Sequence, residues 1–577
     1  MNTNSFPLHR LLKKHWGFDS FRPLQEEIIT SVLKRQDTLA LLPTGGGKSL
    51  CFQLPALCME GITLVISPLI ALMNDQVAQL KDKGIAALAI HSGMPFKAVE
   101  RTLNNALYGP YKLLYLSPER LQSPLFLDFL RALPVSLITV DEAHCISSWG
   151  YDFRPAYLEI GQLREGLPEV PVLAMTATAT QSVRQDIIEK LQLRKPNLQI
   201  KSFRRDNLSY SVFFPPDKQH KLEEILATVP GSSIVFCRSR KQTETVARQL
   251  RNAGLSADHY HAGMTGALRD RRQQEWISGS LRIMVSTSAF GMGIDKPDVR
   301  TVIHYGMPDS PEAYYQQAGR AGRDGKKAYA VLLCSAEEAE QLRAQSRQQF
   351  PTLAEVRKIY RGLVSFLNLP AGAGEGLYFD FDLRTFCARF GHRPAEVRTV
   401  LRLLEQESLL ALVERVRLPD RIRFSLPKSR LNAFEQDQPR WAPMIHCLLR
   451  SYEGIFRDFT AVYPEQVARL LQWPIKQVIR QWQQLQQLGV LAYQPKKDGP
   501  QIYFASERIA VDRLQINTRL LAARRAAHEK RLEAMINYVQ RHTICRSQLL
   551  LQYFDETDSP PCGICDVCLQ QLSRSKR

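Results

Sequence analysis

The sequence predicts an α/β protein: two tandem parallel-sheet domains, then a mostly helical region that closes on a cysteine-rich module. Short apolar runs alternate with helical stretches from about Thr38 to Ala177, at Thr38 to Leu42, Ile62 to Ile66, Leu113 to Leu116, Leu137 to Val140 and Val172 to Met175. That rhythm is the signature of a parallel sheet with crossover helices. It returns from Ser232 to Leu333, with strands expected at Ile234 to Cys237, Ile283 to Ser286, Val299 to His304 and Ala328 to Leu333. After about Arg347 it stops, and Leu369 to Gly376 reads as a flexible break by composition.

The expected domains are 1–206 and 207–345 for the two sheets, joined near Phe203 to Pro216, then 346–430, 431–510 and 511–577. The two middle segments rest on a weak internal repeat in which Val397, Leu401 and Leu404 match Val478, Trp482 and Leu485 on successive helical turns. Each helix is entered at a proline, Pro394 or Pro474. Each is followed by an apolar stop (Leu409 to Leu412; Val490 to Tyr493), a charged turn (Arg417 to Arg421; Pro495 to Pro500) and another strand (Arg421 to Leu426; Gln501 to Ala505). Helix, helix, hairpin is the winged-helix pattern, although two unrelated helical segments would read the same way.

The chain has 577 residues and a formal net charge of +19, which points to a polyanionic partner. No uninterrupted apolar stretch comes near the roughly 18 residues of a membrane span, and Met1 to Arg10 lacks the apolar core of a signal peptide. Seven of the eleven cysteines are scattered singly and four gather near the C-terminus, unlike a secreted disulfide framework. The expectation is a soluble intracellular protein.

The sharpest motif is Leu42 to Ser49, L-P-T-G-G-G-K-S, between an expected strand and a helix-like run. Thr44, Gly45, Gly46 and Gly47 form a loop whose backbone N–H groups close on phosphate oxygens. Lys48 supplies charge to the β and γ phosphates, and Ser49 is the expected magnesium ligand. A further strand ends in Asp141 and Glu142, which alone would be a solvated strand end. Paired with the phosphate loop, Asp141 is placed to hold magnesium and Glu142 to orient or deprotonate a water. In the second sheet domain, Gln316 to Arg323 carries Arg320 and Arg323 three residues apart, on one face if helical. Their fixed charge suits a γ-phosphate across a cleft; a surface ion-pair helix is the plainer reading.

Together these residues resemble superfamily 2 helicases, specifically the RecQ family of DNA helicases. Phe18 to Gln25 (F-D-S-F-R-P-L-Q) is similar to the family's adenine-recognition motif, which implies Phe18 and Arg22 stacking on the base and Gln25 bonding its edge. Ser67 to Met73, Ser117 to Arg120, Thr176 to Ala179, His261 to Met264 and Ser286 to Asp295 match further motifs in order. His144 to Pro155 resembles the aromatic-rich loop that couples strand contact to ATP hydrolysis. This implies Trp149 and Phe153 as stacking surfaces with Arg154 as a charged partner, where spacing alone would also allow buried packing. Tyr151 stands where relatives often carry His. The resemblance implies two RecA-like lobes, a bacterial cytoplasmic protein at the nucleoid, and 3′ to 5′ polarity.

Cys545, Cys562, Cys565 and Cys568 fit a closed tetrahedral zinc site by residue type and spacing; a redox pair would leave two cysteines unexplained. The surroundings resemble the RecQ zinc module, which implies a structural zinc. About 190 residues separate it from the motor, unlike the usual family order and similar to some shorter bacterial RecQ-like proteins. Tyr493 to Tyr503, with Lys496 and Lys497 at its tip, is a candidate wing, or a solvated turn. The expected activity is an ATP- and magnesium-dependent helicase acting on single-stranded and tailed or forked DNA in repair or recombination, with single-strand-binding protein as an implied partner. The rivals are a translocase or remodeller without strong unwinding and a nucleotide-gated DNA-binding scaffold.

Overall fold

The computed structural model describes residues 7–43, 45–91, 94, 96–147, 153–290, 296–407, 409–418, 420–457, 459–495 and 497–575. Thr44, Trp149, Tyr151, Asp295 and Lys496 therefore lie outside the described residues. The chain divides into two units, Met1–Arg347 with Leu520–Arg577, and Gln348–Arg519.

In the first unit, lobe 1 is a parallel sheet of β1 (Thr38–Leu41), β2 (Ile62–Ile66), β3 (Ala87–Ile90), β4 (Leu113–Leu116), β5 (Val135–Val140), β6 (Val172–Thr176) and β7 (Asn197–Ile200), in the order β3-β4-β2-β5-β6-β1-β7. The five expected strands are its buried centre; such runs are apolar throughout because helices cover both faces. The two unexpected strands, β3 and β7, are the edges: β7 (N-L-Q-I) has no continuous apolar run and no buried residue, whereas β3 (A-L-A-I) is apolar throughout but buries only Ile90. Lobe 2 comprises β8 (Leu208–Phe213), β9 (Ser232–Phe236), β10 (Ala257–Tyr260), β11 (Ile283–Ser286), β12 (Val299–His304) and β13 (Ala328–Leu333), in the order β10-β11-β9-β12-β13-β8. The expected linker around Phe203 to Pro216 holds β8, a strand parallel to β13 with Ala328 opposite Leu208.

The C-terminal segment, expected as the module at 511–577, belongs to this unit from Leu520 onward. It contributes helices Thr518–Gln540, Arg546–Tyr553 and Asp566–Ser575. Asp555 accepts from the Gln181 N–H at 2.6 Å, and Glu556 accepts from the Phe203 N–H and the Ser202 hydroxyl, each at 2.7 Å. On lobe 2, Asp566 accepts from the Val212 N–H at 3.0 Å, Ser209 donates to the Ile564 carbonyl at 2.6 Å, and Tyr553 donates to Glu312 at 2.7 Å. Phe554 stacks on Phe203 at 4.5 Å between ring centroids. One small module thus grips both lobes and the chain between them.

The second unit repeats a motif twice. The first copy has helices Leu353–Phe366, Leu383–Phe390 and Pro394–Gln406, with β14 (Tyr378–Asp380) and β15 (Leu410–Leu418). β16 (Asp420–Phe424) completes the first copy, and the second has helices Lys428–Asp437, Ala442–Ser451, Pro464–Leu471 and Ile475–Gln487, with β17 (Thr460–Val462), β18 (Leu491–Gln494) and β19 (Lys497–Phe504). Val397, Leu401, Leu404, Val478, Trp482 and Leu485 are all buried, as their spacing predicts.

Among the described residues the expected wing hairpins do not form. The sheets are β14-β19-β15 and β17-β16-β18, so each copy receives its third strand from the other. β15 pairs antiparallel with β19 from Leu410 opposite Phe504 to Leu418 opposite Lys497, and β16 pairs with β18 from Arg421 opposite Gln494 to Phe424 opposite Leu491. The candidate wing at Tyr493 to Tyr503 is accordingly no hairpin but a pair of strands with different partners, and the expected boundary at 430/431 cuts helix Lys428–Asp437. A tight hairpin needs residues that accept positive φ, such as Asn-Gly, and Arg417 to Arg421 has neither Gly nor Asn.

A buried polar contact fixes the exchange: the Tyr493 hydroxyl donates to Asp420 at 2.5 Å, joining β18 to the partner strand it borrows. Tyr493→Phe is expected to destabilise this unit by about 1.5–3 kcal/mol, the range for a hydrogen bond to a charged group. Urea unfolding of wild type and variant measures it, and an unchanged midpoint contradicts it.

Candidate nucleotide and zinc sites

The phosphate loop leaves the carboxyl end of β1 and runs into helix Leu50–Cys58. Gly45 and Gly47 have φ of +80° and +78°, a region that side chains disfavour. Space is short as well: a Cβ on Gly47 would lie 2.3 Å from Gln25 Nε2, and one on Gly45 would lie 2.9 Å from Arg323 Cγ, so either would displace that side chain. These approaches bring three sequence-distant predictions together. Gln25, buried, donates to the Gly47 carbonyl at 3.0 Å and accepts from the Arg22 N–H at 2.8 Å. Arg22 donates to the Gly45 carbonyl. Phe18 is half exposed in the loop before helix Gln25–Leu33, open to stacking.

At the end of β5, Asp141 is buried and Glu142 has a left-handed backbone, φ +48°. The Glu142 N–H donates to Asp141 at 3.0 Å, and Tyr157 donates to the Asp141 carbonyl at 2.9 Å. Glu142 faces Lys48 Nζ at 4.0 Å and His144 Nδ1 at 3.3 Å, and His144 also meets the Thr176 hydroxyl at 2.8 Å. Burial, and then the neighbouring Glu142 charge, push the Asp141 carboxyl up to about 7, with Lys48 opposing. Burial works in the same direction on Glu142, but Lys48, His144, Arg320 and Arg154 outweigh it and hold that carboxyl below its usual range. The site therefore keeps an ionised carboxylate beside a lysine. Gln76, which the sequence did not single out, donates to the Ser49 hydroxyl at 2.9 Å.

From lobe 2, Gln316 sits buried in helix Pro311–Ala318. Arg320 and Arg323 do not share a helix face as the sequence suggested, because the helix ends at Ala318 and both lie in the turn beyond. Arg205 shapes that turn, donating to the carbonyls of Gly319, Ala321 and Gly322 at 3.1, 2.9 and 3.2 Å. Nothing about Arg205 marked it in the sequence, since its acceptors are backbone atoms. Arg154 donates to the Pro68 carbonyl at 3.0 Å, and the Phe153 ring lies under Arg524, 4.6 Å away.

The ligand atoms of Cys545, Cys562, Cys565 and Cys568 lie within 4.8 Å of one another. Cys565 and Cys545 sulfurs are 3.9 Å apart, close to the roughly 3.8 Å edge of a tetrahedron with 2.3 Å zinc–sulfur bonds. Backbone N–H groups of Cys562 and Cys568 point at Cys545 and Cys565 sulfurs at 3.3 and 3.4 Å, an arrangement that favours thiolates. Gly563 makes the turn with φ +73°. Arg546, fully buried, ties the module together through Asp566 at 3.0 Å and the Arg541 carbonyl at 2.8 Å. A second cluster, Glu244, His259 and His261, is joined by a 2.9 Å contact between His261 and Glu244. Burial and the Arg272 charge hold His259 below its usual range.

Residues 22–187 match the family described as DEAD/DEAH box helicase, and 217–325 the helicase conserved C-terminal domain. Residues 422–495 match the RecQ helicase winged-helix domain of Bacteroidota, and 510–569 the RecQ zinc-binding family. The chain is 45% identical over 326 residues to an ATP-dependent DNA helicase RecQ of Haemophilus influenzae, covering 56% of this chain and 52% of the relative. It is 44% identical over 330 residues to a probable ATP-dependent DNA helicase RecS of Bacillus subtilis, covering 56% of this chain and 66% of the relative. The chain thus spans about half the length of the Haemophilus protein. In fold it is similar to the DUF1998 helicase MrfA bound to DNA, with TM-score 0.51 and 18% identity over 71% of this chain and 58% of that one. Since two of the matched families are particular to RecQ proteins and the chain is 45% identical over 326 residues to one of them, the chain belongs to the RecQ family of helicases.

Proposed function

We propose that the protein is an ATP-dependent DNA helicase in which hydrolysis between the two lobes drives 3′ to 5′ movement along single-stranded DNA and opens tailed or forked duplex. The observation that supports this best is the approach of Arg323 to the phosphate loop of the other lobe, which makes a site that needs both lobes. Polarity and a role in repair or recombination follow the family. The same reading has it work in the bacterial cytoplasm at the nucleoid, alongside single-strand-binding protein. No helix among the described residues is long and apolar enough to cross a membrane.

In this reading the N–H groups of Gly45 to Gly47, with Thr44, cradle phosphates, and Lys48 balances their charge. Phe18, Arg22 and Gln25 hold the base. Glu142 orients the attacking water and takes its proton. Arg320 and Arg323 stabilise charge on the transferring phosphoryl group from lobe 2, with Gln316 behind them. Ser49 and Asp141 suit a magnesium ion, because Asp141 is a buried carboxylate whose charge Lys48 alone does not offset; bound there, the metal supplies positive charge to the phosphates. Trp149, Phe153 and Arg154 couple the strand to this centre. The four cysteines hold a structural zinc.

Displacement of a strand from 3′-tailed, 5′-tailed and forked duplexes, measured beside phosphate release, tests the proposal. Unwinding of 3′-tailed and forked DNA is expected. DNA-stimulated hydrolysis without displacement would leave a translocase or remodeller, and DNA binding without turnover a scaffold. Gly47→Ala is expected to weaken nucleotide binding about tenfold or more, since the left-handed backbone alone costs about 1–2 kcal/mol. A fluorescent nucleotide titration checks this, with wild-type affinity as the contrary result.

A further inference from the structure

We propose that Arg524, on the helix leading into the zinc module, is a positioning residue for the aromatic loop. It holds Phe153 by lying over the ring, until single-stranded nucleic acid takes both partners, a base on the ring and a phosphate on the guanidinium. The inference rests on the ATPase reading above and deepens it.

Arg524 lies 4.6 Å from the Phe153 ring centroid, well within cation–π range. Both ends of the contact are anchored. Helix Thr518–Gln540 buries Leu532, Met535, Ile536, Tyr538 and Val539, and its Glu533 takes a two-pronged ion pair from Arg343 at 2.7 and 2.8 Å. Arg343 lies in helix Glu338–Gln348, directly after lobe 2. At the other end Arg154, next to Phe153, bonds through its N–H to the Cys145 carbonyl at 2.9 Å and through its side chain to the Pro68 carbonyl at 3.0 Å. Cys145 follows closely on Asp141 and Glu142, and Pro68 belongs to the motif Ser67 to Met73. Moving Phe153 therefore pulls on the segment that carries the hydrolytic carboxylates.

The contact occupies the two surfaces that a single strand uses: an aromatic face for a base and a guanidinium for a phosphate. A base and a cation cannot share the same ring face, so strand and Arg524 compete for Phe153. Without a strand the loop is held by a helix that is itself fixed to lobe 2. With one, the loop is released and the carboxylate segment follows.

ATP turnover of the full chain, with and without a thymidine homopolymer strand, tests this in wild type, Arg524→Ala, Arg524→Lys and Arg525→Ala. Arg525 pairs with Glu529 at 2.9 Å and serves as a control of like charge. Arg524→Ala is expected to raise strand-free kcat about two- to fivefold, the bias an exposed cation–π contact gives. The KM for ATP should stay unchanged and the stimulation ratio should fall by the same factor. Arg524→Lys, which keeps a cation over the ring, should restore the low strand-free rate, and Phe153→Leu should reproduce Arg524→Ala. A strand-free rate in Arg524→Ala equal to or below wild type overturns the proposal, as does the same rise in Arg525→Ala. Absence of any wild-type turnover overturns the ATPase reading itself, whereas wild-type turnover that no strand stimulates overturns the coupling that the proposal assigns to Phe153 and Arg524.

Discussion

Replacing Glu142 by Gln is expected to lower ATP turnover by about 10²- to 10⁴-fold, the usual contribution of a positioned general base, while nucleotide still binds. The side chain is committed to this position: its backbone holds φ +48°, a conformation that costs an L-residue about 1–2 kcal/mol. The Asp141 side chain and the Tyr157 hydroxyl hold the N–H and the carbonyl of the peptide that precedes it. Lys48 and His144 keep the carboxylate ionised, so at neutral pH it is free of a proton of its own and can accept the hydrogen bond of a water. Glutamine keeps the shape and loses the charge. Phosphate release and a nucleotide titration on the same sample separate the two effects. A variant turning over at more than about a tenth of the wild-type rate would remove Glu142 from the role of base.

The second large effect is expected at the cysteines. Cys565→Ser should take zinc content from one per chain toward none and sharply reduce soluble yield, because binding at such sites contributes on the order of 10 kcal/mol to folding. The consequence should not stay local. Asp555, Glu556 and Phe554 touch lobe 1 and the chain after it, and Asp566 touches β8 in lobe 2. Thermal unfolding monitored by nucleotide-site fluorescence should fall together with the metal. Undiminished zinc in the purified variant would exclude Cys565 as a ligand.

The two sheet lobes were well displayed in the sequence. Central strands announce themselves because burial on both faces demands unbroken apolar runs, and the phosphate loop because its glycines are dictated by backbone angle. Edge strands β7 and β8 escaped because polar residues interrupt their apolar runs, whereas β3, apolar throughout, left its signal within a short A-L-A-I run beside helix Ile70–Asp82. The arginine turn was misread because Gly319 and Gly322 end a helix that the charge spacing alone would continue. Arg205, Gln76, Asp555 and Arg524 left no signal, since each acts on a partner far away in the chain through backbone atoms, a hydroxyl or a ring. The exchanged strands were the least legible feature. Both pairings satisfy the same local alternation, and only the three-dimensional partner differs.

That exchange has a consequence for biosynthesis. β15 leaves the ribosome about 90 residues before β19, its partner, so at roughly 5–20 residues per second its edge waits on the order of 5–20 s without a mate. Over that interval a nascent chain carries an open strand edge, and two neighbouring chains on one messenger could trade strands and emerge as an interlocked dimer. Neither copy of the motif can be excised as a self-sufficient domain. A fragment ending after β16 would retain a sheet edge that only its missing half can close.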